Sequence, residues 1–168
     1  MTDLAIQIRP ERPGDSEAIL HLHERAFGPG RFARTAFRLR ERAPPRPDLS
    51  FTALVGTLLV GSVKLSPIAI GPDRRPALML GPLAVEPAFE GRGIGGALVT
   101  RALEAARAAG HTLVLLVGDE TYYARFGFKR VPEGRLVMPG PVDPARLLTA
   151  ELNAGALSVA AGRVFAER

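Results

Sequence analysis

Hydrophobic residues follow two rhythms along this chain. Short Val-, Leu- and Ile-rich runs suit strands, and longer segments with apolar residues every three or four positions suit helices. Strands are predicted at residues 6–8, 51–55, 58–70, 77–85, 112–117, 128–131 and 135–138. Helices are predicted at 16–27, 32–42, 93–109 and 121–126, with a helical turn at 144–152 and a last apolar alternation in 153–168. This mixture predicts an α/β or α+β domain with helices on both faces of one sheet.

Turn-forming residues mark where these elements begin, bend and end. Asp15 precedes the first helix and is an N-cap candidate. Gly56-Thr57 predicts a tight hairpin, and Gly61 in the following run predicts a bulge. Gly81-Pro82 predicts a local break or a sheet edge, because proline cannot donate a hydrogen bond to a neighbouring strand.

Composition bounds the class of protein. A length of 168 residues, 46% hydrophobic, fits one domain over residues 1–168 with a substantial core. There is no apolar run long enough to cross a membrane, and residues 1–6 lack the basic and apolar parts of a secretion signal. The absence of cysteine excludes a disulfide, a thiol nucleophile and a thiolate metal site. We therefore expect a cytoplasmic protein with no metal and no membrane partner.

Positive charge is concentrated in arginine. The net charge is +5, and six arginines crowd one stretch: Arg31, Arg34, Arg38, Arg40, Arg42 and Arg46. Nucleic-acid binding is one interpretation, but no aromatic residues interleave the arginines as a stacking surface requires. A solvated surface is favoured, so we expect no nucleic-acid partner; a small anionic ligand nearby is also compatible.

The stretch most informative about function is LAVEPAFEGRGIGGAL, residues 83–98. A short apolar strand leads into a glycine-rich turn, and the turn opens directly into a helix. Glycines turn tightly and leave the backbone N–H groups uncovered. The helix N-terminus adds unpaired donors and a partial positive charge. A phosphate or pyrophosphate is therefore the expected ligand.

A dinucleotide-binding domain is one candidate, because residues 91–96 also satisfy G-x-G-x-x-G. Asp119 follows the next apolar strand at about the spacing of a ribose-binding acid. Three features weigh against it. Residues 86–90 separate the strand from the first glycine, too little chain follows for a second mononucleotide-binding half, and the aromatic cluster after Asp119 stays unexplained.

The same stretch resembles the pyrophosphate-binding motif of the GNAT superfamily of N-acetyltransferases, typically Gln/Arg-x-x-Gly-x-Gly/Ala. Further along, YYARFGF at residues 122–128 resembles the second signature, an aromatic pair followed by Gly-Phe. The opening residues 8–19 resemble the first strand and helix of the superfamily. The resemblance covers about residues 6–131, and residues 132–168 are expected to complete the same domain.

The resemblance implies a fold and a cofactor. The fold is a mixed, mostly antiparallel, twisted sheet of about six to seven strands, splayed at the strand pair that holds acyl-CoA. The cofactor is acetyl-CoA, with its pantetheine arm along Leu83, Ala84 and Val85. Its pyrophosphate is expected on the glycine turn, with further contacts from two later residues; the set is Gly91, Arg92, Gly93, Ile94, Gly95, Gly96, Asp119 and Tyr122.

The resemblance also implies a reaction. A neutral amine attacks the acetyl thioester directly, and Tyr123 protonates the leaving thiolate. No covalent enzyme intermediate is needed, which suits a chain without cysteine. Glu24, Phe27 and Phe32 are candidates for the acceptor pocket. A small-molecule amine is the first choice of acceptor and a peptide amine the second, in a monomer or a homodimer.

Three departures from the family pattern stand out. Glu90 occupies a position where Gln or Arg is usual, so it is expected to point away or to pair with Arg92. Residues 77–80 carry no carboxylate where some members place a general base, and Asp119 stands where many have Asn. A non-catalytic acyl-CoA-binding or sensing module therefore remains an alternative, with an NAD(P)-dependent oxidoreductase third.

Overall fold

The structure, a computed structural model, describes residues 5–28 and 44–167. The strands of this part are β1 Ile6–Pro10, β2 Phe51–Val55, β3 Leu58–Ile70, β4 Arg75–Val85, β5 Leu113–Val117, β6 Lys129–Arg130, β7 Leu136–Val137, β8 Leu147–Glu151 and β9 Gly162–Ala166. The helices are α1 Ser16–Phe27, α2 Ile94–Ala108 and α3 Glu120–Tyr123. The predicted helix at 32–42, together with Phe32, lies outside the described residues.

The strands form one mixed sheet in the order β1-β2-β3-β4-β5-β8-β6. Its neighbours are antiparallel except β4 and β5, which run parallel. The expected six to seven strands correspond to this seven-stranded path, and β9 joins β3 and β7 beside it. A dinucleotide-binding sheet is mostly parallel, so the dinucleotide-binding alternative is wrong for this fold.

One predicted element is wrong over most of its length. The helical turn expected at 144–152 is limited to a 3-10 turn at Pro144–Arg146, and Leu147–Glu151 is strand β8. β8 is inserted between β5 and β6, and Leu148 and Ala150 are buried there. The pairing partners are distant in sequence, so a local pattern did not reveal the strand.

Both predicted irregularities of the N-terminal half appear in the ladders. Pairing of β2 with β3 shifts beside Gly61, so that a bulge lies there as predicted. Gly81-Pro82 lies inside β4 rather than at an edge, and both residues stand opposite Lys64 of β3. Because side chains alternate along a strand, the extra residue puts Leu83 on the same face as Leu80.

The two parallel strands separate after a short contact. β4 pairs with β5 only through Leu78 with Val114 and Met79 with Leu115. β4 then continues to Val85 without a β5 partner. The sheet is therefore open between these strands on the side where the glycine turn begins.

Helices cover the two faces of the sheet. α2 buries Ile94, Leu98, Val99, Ala102, Leu103 and Ala106 against one face. An apolar stripe of Ile94, Leu98, Ala102, Ala105 and Ala109 is what the spacing of this segment predicts. The structure corrects it in part, since Ala109 is exposed and Ala105 is half-buried, while Val99 and Leu103 are buried. α1 covers the opposite face, where Ile19 and Leu22 pack on Leu59 and Ala84.

Asp15 ties the start of α1 to β1. Its carboxylate accepts hydrogen bonds from Arg9 Nη1 at 2.7 Å and Arg9 Nη2 at 2.9 Å, and from the Arg12 N–H at 2.8 Å. It therefore precedes α1 as predicted but does not cap it with its side chain. The Arg9 hydrogen bonds hold the pKa of this carboxyl below its usual range.

We predict that Asp15→Asn lowers the free energy of unfolding at pH 7 by about 2 kcal/mol, because it leaves a mostly buried guanidinium without its anion. The matched control is Asp48→Asn, whose ion pair with Arg46 is exposed and worth about 0.5 kcal/mol or less. Because folding lowers the pKa of Asp15, the ionised carboxylate stabilises the fold above the unfolded pKa of 3.8. This stability is lost as the pH falls through the folded pKa. Urea unfolding should therefore show wild type and Asp15→Asn converging below that pH; equal losses in the two variants at pH 7 would contradict the assignment.

Candidate active site

The glycine turn has the backbone geometry of an anion cradle. Gly91 and Gly93 have φ angles of 78° and 79°, a left-handed conformation that residues with a Cβ rarely adopt. Gly93 is the N-cap of α2, which begins at Ile94. The first N–H groups of a helix have no acceptor within it, so those of Ile94, Gly95 and Gly96 are available to a ligand. The turn therefore has the backbone geometry that the predicted cradle requires, at the positive end of the helix dipole.

The turn is fixed to the rest of the protein at its base. Arg25 at the end of α1 pairs with Glu86 at 2.7 Å, and the Glu86 N–H donates to the carbonyl of Val60 at 2.8 Å. Arg92 places its guanidinium over the Phe89 ring, 5.1 Å from the centroid. Glu90 and Arg92 form no ion pair, so of the two arrangements expected for Glu90, pairing with Arg92 is not observed.

Tyr122 reaches the first turn of α2. A Cβ added to Gly95 would lie 2.8 Å from the Tyr122 hydroxyl and 3.6 Å from Val85 Cγ2. Gly95 therefore leaves the space that this phenol occupies, beside the end of β4. Burial raises the pKa of Tyr122, and the Arg125 guanidinium, 5.0 Å over its ring, lowers it in part.

Tyr123 is held in an aromatic cluster behind Tyr122. Its ring centroid lies 4.8 Å from Tyr122, 6.4 Å from Phe126 and 5.8 Å from Phe128. Burial, with a further contribution from Tyr122, raises the pKa of Tyr123 to about 12. This phenol therefore carries its proton at neutral pH and is able to donate it.

Asp119 positions both tyrosines through the backbone. Its side-chain oxygen accepts a hydrogen bond from the Thr121 N–H at 3.1 Å, which caps the short helix α3. Its carbonyl accepts from the N–H groups of Tyr122 at 3.1 Å and Tyr123 at 3.0 Å. The residue itself is exposed.

Gly118 is a site residue that the sequence analysis missed. A Cβ at this position would stand 2.6 Å from Tyr123 Cε2 and 3.0 Å from Leu116 Cδ1. The tyrosine ring thus lies directly on the backbone at the end of β5. A glycine between a buried strand and a helix N-cap was the available signal, but nothing local ties it to Tyr123.

A groove of about 420 Å³ follows the exposed side of α2 away from the cradle. Gly93 and Gly96 line one end, and Arg101, Arg125 and Phe126 line the rest among others. The groove therefore continues the glycine turn with two cationic side chains, Arg101 and Arg125, and one acidic side chain, Glu104.

The remaining pocket candidates lie at the end of α1. Glu24 is exposed, and Phe27 is half-buried against the cluster that includes Ile19 and Leu22. The Arg25–Glu86 ion pair brings this helix end to the base of the glycine turn.

The described residues hold neither a metal-binding cluster nor a membrane-spanning helix. Within residues 5–28 and 44–167, no group of three His, Asp or Glu side chains is arranged to hold a metal ion. No helix in the same ranges is both long and apolar enough to span a bilayer.

Comparison with known sequences places this geometry among acetyltransferases. A family model described as an acetyltransferase (GNAT) domain matches residues 49–130. The uncharacterized N-acetyltransferase YhbS of Escherichia coli K12 is 31% identical over 122 residues, 73% of this chain and 72% of that protein. The uncharacterized N-acetyltransferase YjhQ of the same strain is 34% identical over 117 residues, 68% of this chain; the match spans 65% of YjhQ, just under two thirds.

Solved structures of GNAT acetyltransferases have a similar fold. The crystal structure of the GNAT family N-acetyltransferase YhbS from Escherichia coli in complex with CoA has a TM-score of 0.84 at 26% identity, over 99% of this chain and 92% of that one. A GNAT family acetyltransferase from Brucella melitensis in complex with acetyl-CoA has a TM-score of 0.64 at 31% identity, over 87% of this chain and 96% of that one.

The burial of Tyr123 leads to a spectroscopic prediction. The chain has two tyrosines and no tryptophan, so alkaline absorbance titration follows only these two phenols. In Tyr122→Phe the single transition should keep a midpoint well above 10, below the wild-type value for Tyr123 because the contribution of Tyr122 is removed. Because the folded phenol holds its proton more tightly than the unfolded one, the free energy of unfolding should fall as the pH rises from about 10 towards 12. A midpoint near 10 in the folded variant would contradict the burial.

The close contact at Gly118 leads to a packing prediction. Gly118→Ala should lower the free energy of unfolding by about 1–3 kcal/mol, because the new methyl group displaces the Tyr123 ring. Gly96→Ala is the matched control: its Cβ would meet Phe126 Cζ at 3.5 Å, an ordinary contact, and alanine favours the helix by about 1 kcal/mol. The two variants are compared by urea unfolding, and equal stability would show that the ring is not fixed by Gly118.

Proposed function

The chain belongs to the GNAT family of acetyl-CoA-dependent N-acetyltransferases, and we propose that it acetylates a primary amine with Tyr123 as the general acid. The observation that carries the mechanism is the placement of Tyr123 at the end of β5, where its ring lies against Gly118 and against Tyr122, whose hydroxyl lies at the first turn of α2. Burial there raises the pKa of Tyr123 to about 12 and keeps the phenol protonated. Bound acetyl-CoA supplies an activated acetyl thioester, and the chain supplies the groups that hold it and the proton that its thiol requires.

The cofactor site is proposed from backbone geometry. The N–H groups of residues 91–96 hold the pyrophosphate, supported by the left-handed φ angles of Gly91 and Gly93. Leu83, Ala84 and Val85 offer the pantetheine arm the backbone groups on the side of β4 that β5 leaves unpaired. An extended chain with amides then adds to β4 much as a strand does. Ile94 contributes its backbone N–H, since its side chain is buried in the core, while Arg92 and Asp119 are exposed.

The two tyrosines receive different roles. The Tyr122 hydroxyl lies over Gly95, at the first turn of α2, and is assigned to cofactor binding. Tyr123 lies deeper, against Gly118 at the end of β5, and is assigned to proton donation. As the amine nitrogen bonds to the acyl carbon and the C–S bond breaks, the phenol proton passes to the leaving sulfur. The attacking amine must be neutral, and residues 77–80 offer no carboxylate to deprotonate it.

The proposed acceptor is a small-molecule primary amine, with a protein N-terminus or lysine second, and the proposed location is the cytoplasm. Glu24 and Phe27 remain the proposed pocket residues in the described part of α1, supported by the Arg25–Glu86 link between α1 and the glycine turn. Phe32 is proposed with them from the sequence alone.

A second candidate is a non-catalytic acyl-CoA sensor. The observation in its favour is the lack of a carboxylate at residues 77–80 of β4. Such a module would bind acetyl-CoA through the same cradle without transferring the acetyl group.

We predict that Tyr123→Phe lowers kcat by about 100-fold or more while acetyl-CoA binding is retained, because only the transferred proton is lost. Tyr122→Phe is the matched comparison: it should weaken acetyl-CoA binding by about 2–10-fold, the effect of one hydrogen bond, with a smaller change in kcat. Thiol release with a panel of amines gives kcat, and the acetyl-CoA-dependent rise in Tm gives binding.

Each outcome separates the candidates. Unchanged turnover in Tyr123→Phe would contradict the assignment of Tyr123 as the general acid. Acetyl-CoA binding without transfer to any amine favours the sensor. No rise in Tm with acetyl-CoA contradicts the cofactor site for both.

A further inference from the structure

The two ends of the glycine turn meet at one residue of β3. Val85, the last residue of β4, is the ladder partner of Gly61. Ile94, the first residue of α2, lies directly over the same glycine, because a Cβ added to Gly61 would be 2.9 Å from Ile94 Cγ2. Gly61 therefore lies beside the point where the turn leaves the sheet and beneath the point where it enters the helix.

The close approach of α2, rather than the backbone conformation, requires a glycine at position 61. Its φ angle lies outside the left-handed range that Gly91 and Gly93 occupy, so an alanine could adopt the same backbone. The added Cβ, however, would also lie 2.9 Å from Leu98 Cδ1 and 3.2 Å from the Cβ of Ala53. Carbon atoms in contact are about 3.5–4.0 Å apart, so an alanine would have to displace its neighbours by about 0.6 Å or more.

The side chain nearest to the turn has little freedom to move aside. Ile94 is β-branched and buried, and such a residue in a helix has one strongly preferred rotamer. Leu98 Cδ1 is the end of a flexible side chain one helical turn further on, and it can rotate away. A methyl group on Gly61 is therefore expected to move the start of α2 rather than to rotate Ile94.

The end of β4 is held to the sheet independently of α2. Val85 is paired with β3, and the next N–H group, that of Glu86, donates to the Val60 carbonyl at 2.8 Å. The Glu86 carboxylate is also held by Arg25 of α1. A shift of α2 would therefore change the distance between the end of β4 and the first N–H groups of the helix.

We propose that Gly61 is a positioning residue for the cofactor: it sets the spacing between the strand that takes the pantetheine arm and the helix start that takes the pyrophosphate. This inference rests on the proposed cofactor site, because one acetyl-CoA molecule must reach both places at once. Covalent bonds join the arm to the pyrophosphate, so both make their contacts only when the two places are the right distance apart. A change at Gly61 should thus weaken the pyrophosphate contact and leave the pantetheine contact unaltered.

The test compares acetyl-CoA with S-acetylpantetheine, which has the same arm but lacks the pyrophosphate and the nucleotide. Isothermal titration calorimetry, at a temperature below the Tm of every variant, gives the Kd of each ligand. In Gly61→Ala the Kd of acetyl-CoA should rise about tenfold, the loss of one hydrogen bond to a charged group, and that of S-acetylpantetheine should stay within about twofold. The preference for acetyl-CoA, which is the ratio of the two Kd values, should therefore fall about tenfold.

A matched core variant separates positioning from a loss of stability. Ile68→Val lies on the same strand but packs with Met79 and Leu115, outside the core that α2 covers. Both Ile68→Val and Gly61→Ala should lower Tm by about 2–6 °C. Only Gly61→Ala should change the preference for acetyl-CoA.

A double variant gives a second readout that a merely structural role would not produce. Ile94→Ala keeps the backbone N–H but opens a gap over Gly61, so it should also lower the preference for acetyl-CoA. In Gly61→Ala/Ile94→Ala the added methyl group fills that gap, and the preference should return towards the wild-type value.

An unchanged preference in Gly61→Ala, or losses that add up in the double variant, would overturn the proposal. If Gly61→Ala does not fold, Ile94→Ala and the double variant decide, and a double variant no better than Ile94→Ala would overturn it. Equal Kd values for the two ligands in wild type would also overturn it, whereas a wild type that binds no acetyl-CoA would overturn the proposed function instead.

Discussion

The candidate site depends on how briefly β4 pairs with β5. Two paired positions join the strands, and beyond Met79 the backbone groups of β4 on that side lack a strand partner. Such groups are costly to leave unsatisfied, so an opening of this kind invites an extended ligand with amides of its own. The bulge at Gly81-Pro82 makes the opening compatible with a packed core, because it keeps Leu83 and Val85 on the α2 face after the strands part.

The two ends of the opening are built differently, and each suits a different part of the proposed chemistry. At the mouth, the left-handed conformation of Gly91 and Gly93 leaves backbone N–H donors exposed, a geometry that suits an anion without a charged side chain. At the depth of Tyr123, aromatic rings exclude water, and the same exclusion raises the pKa of the phenol. The packing of the aromatic rings is therefore also what raises the pKa of Tyr123, so a substitution that loosens the rings should lower this pKa as well.

Local patterns predicted the elements whose signals are local. The bounds of α1, β2 and β3 follow from apolar spacing and from the turn at residues 56–57, and the cradle follows from its glycines. Strand β8 was not predicted, because its residues form a strand by pairing with β5 and β6, which are distant in the sequence. Gly118 was missed for the same reason: its meaning lies in the contact with Tyr123, which the fold creates.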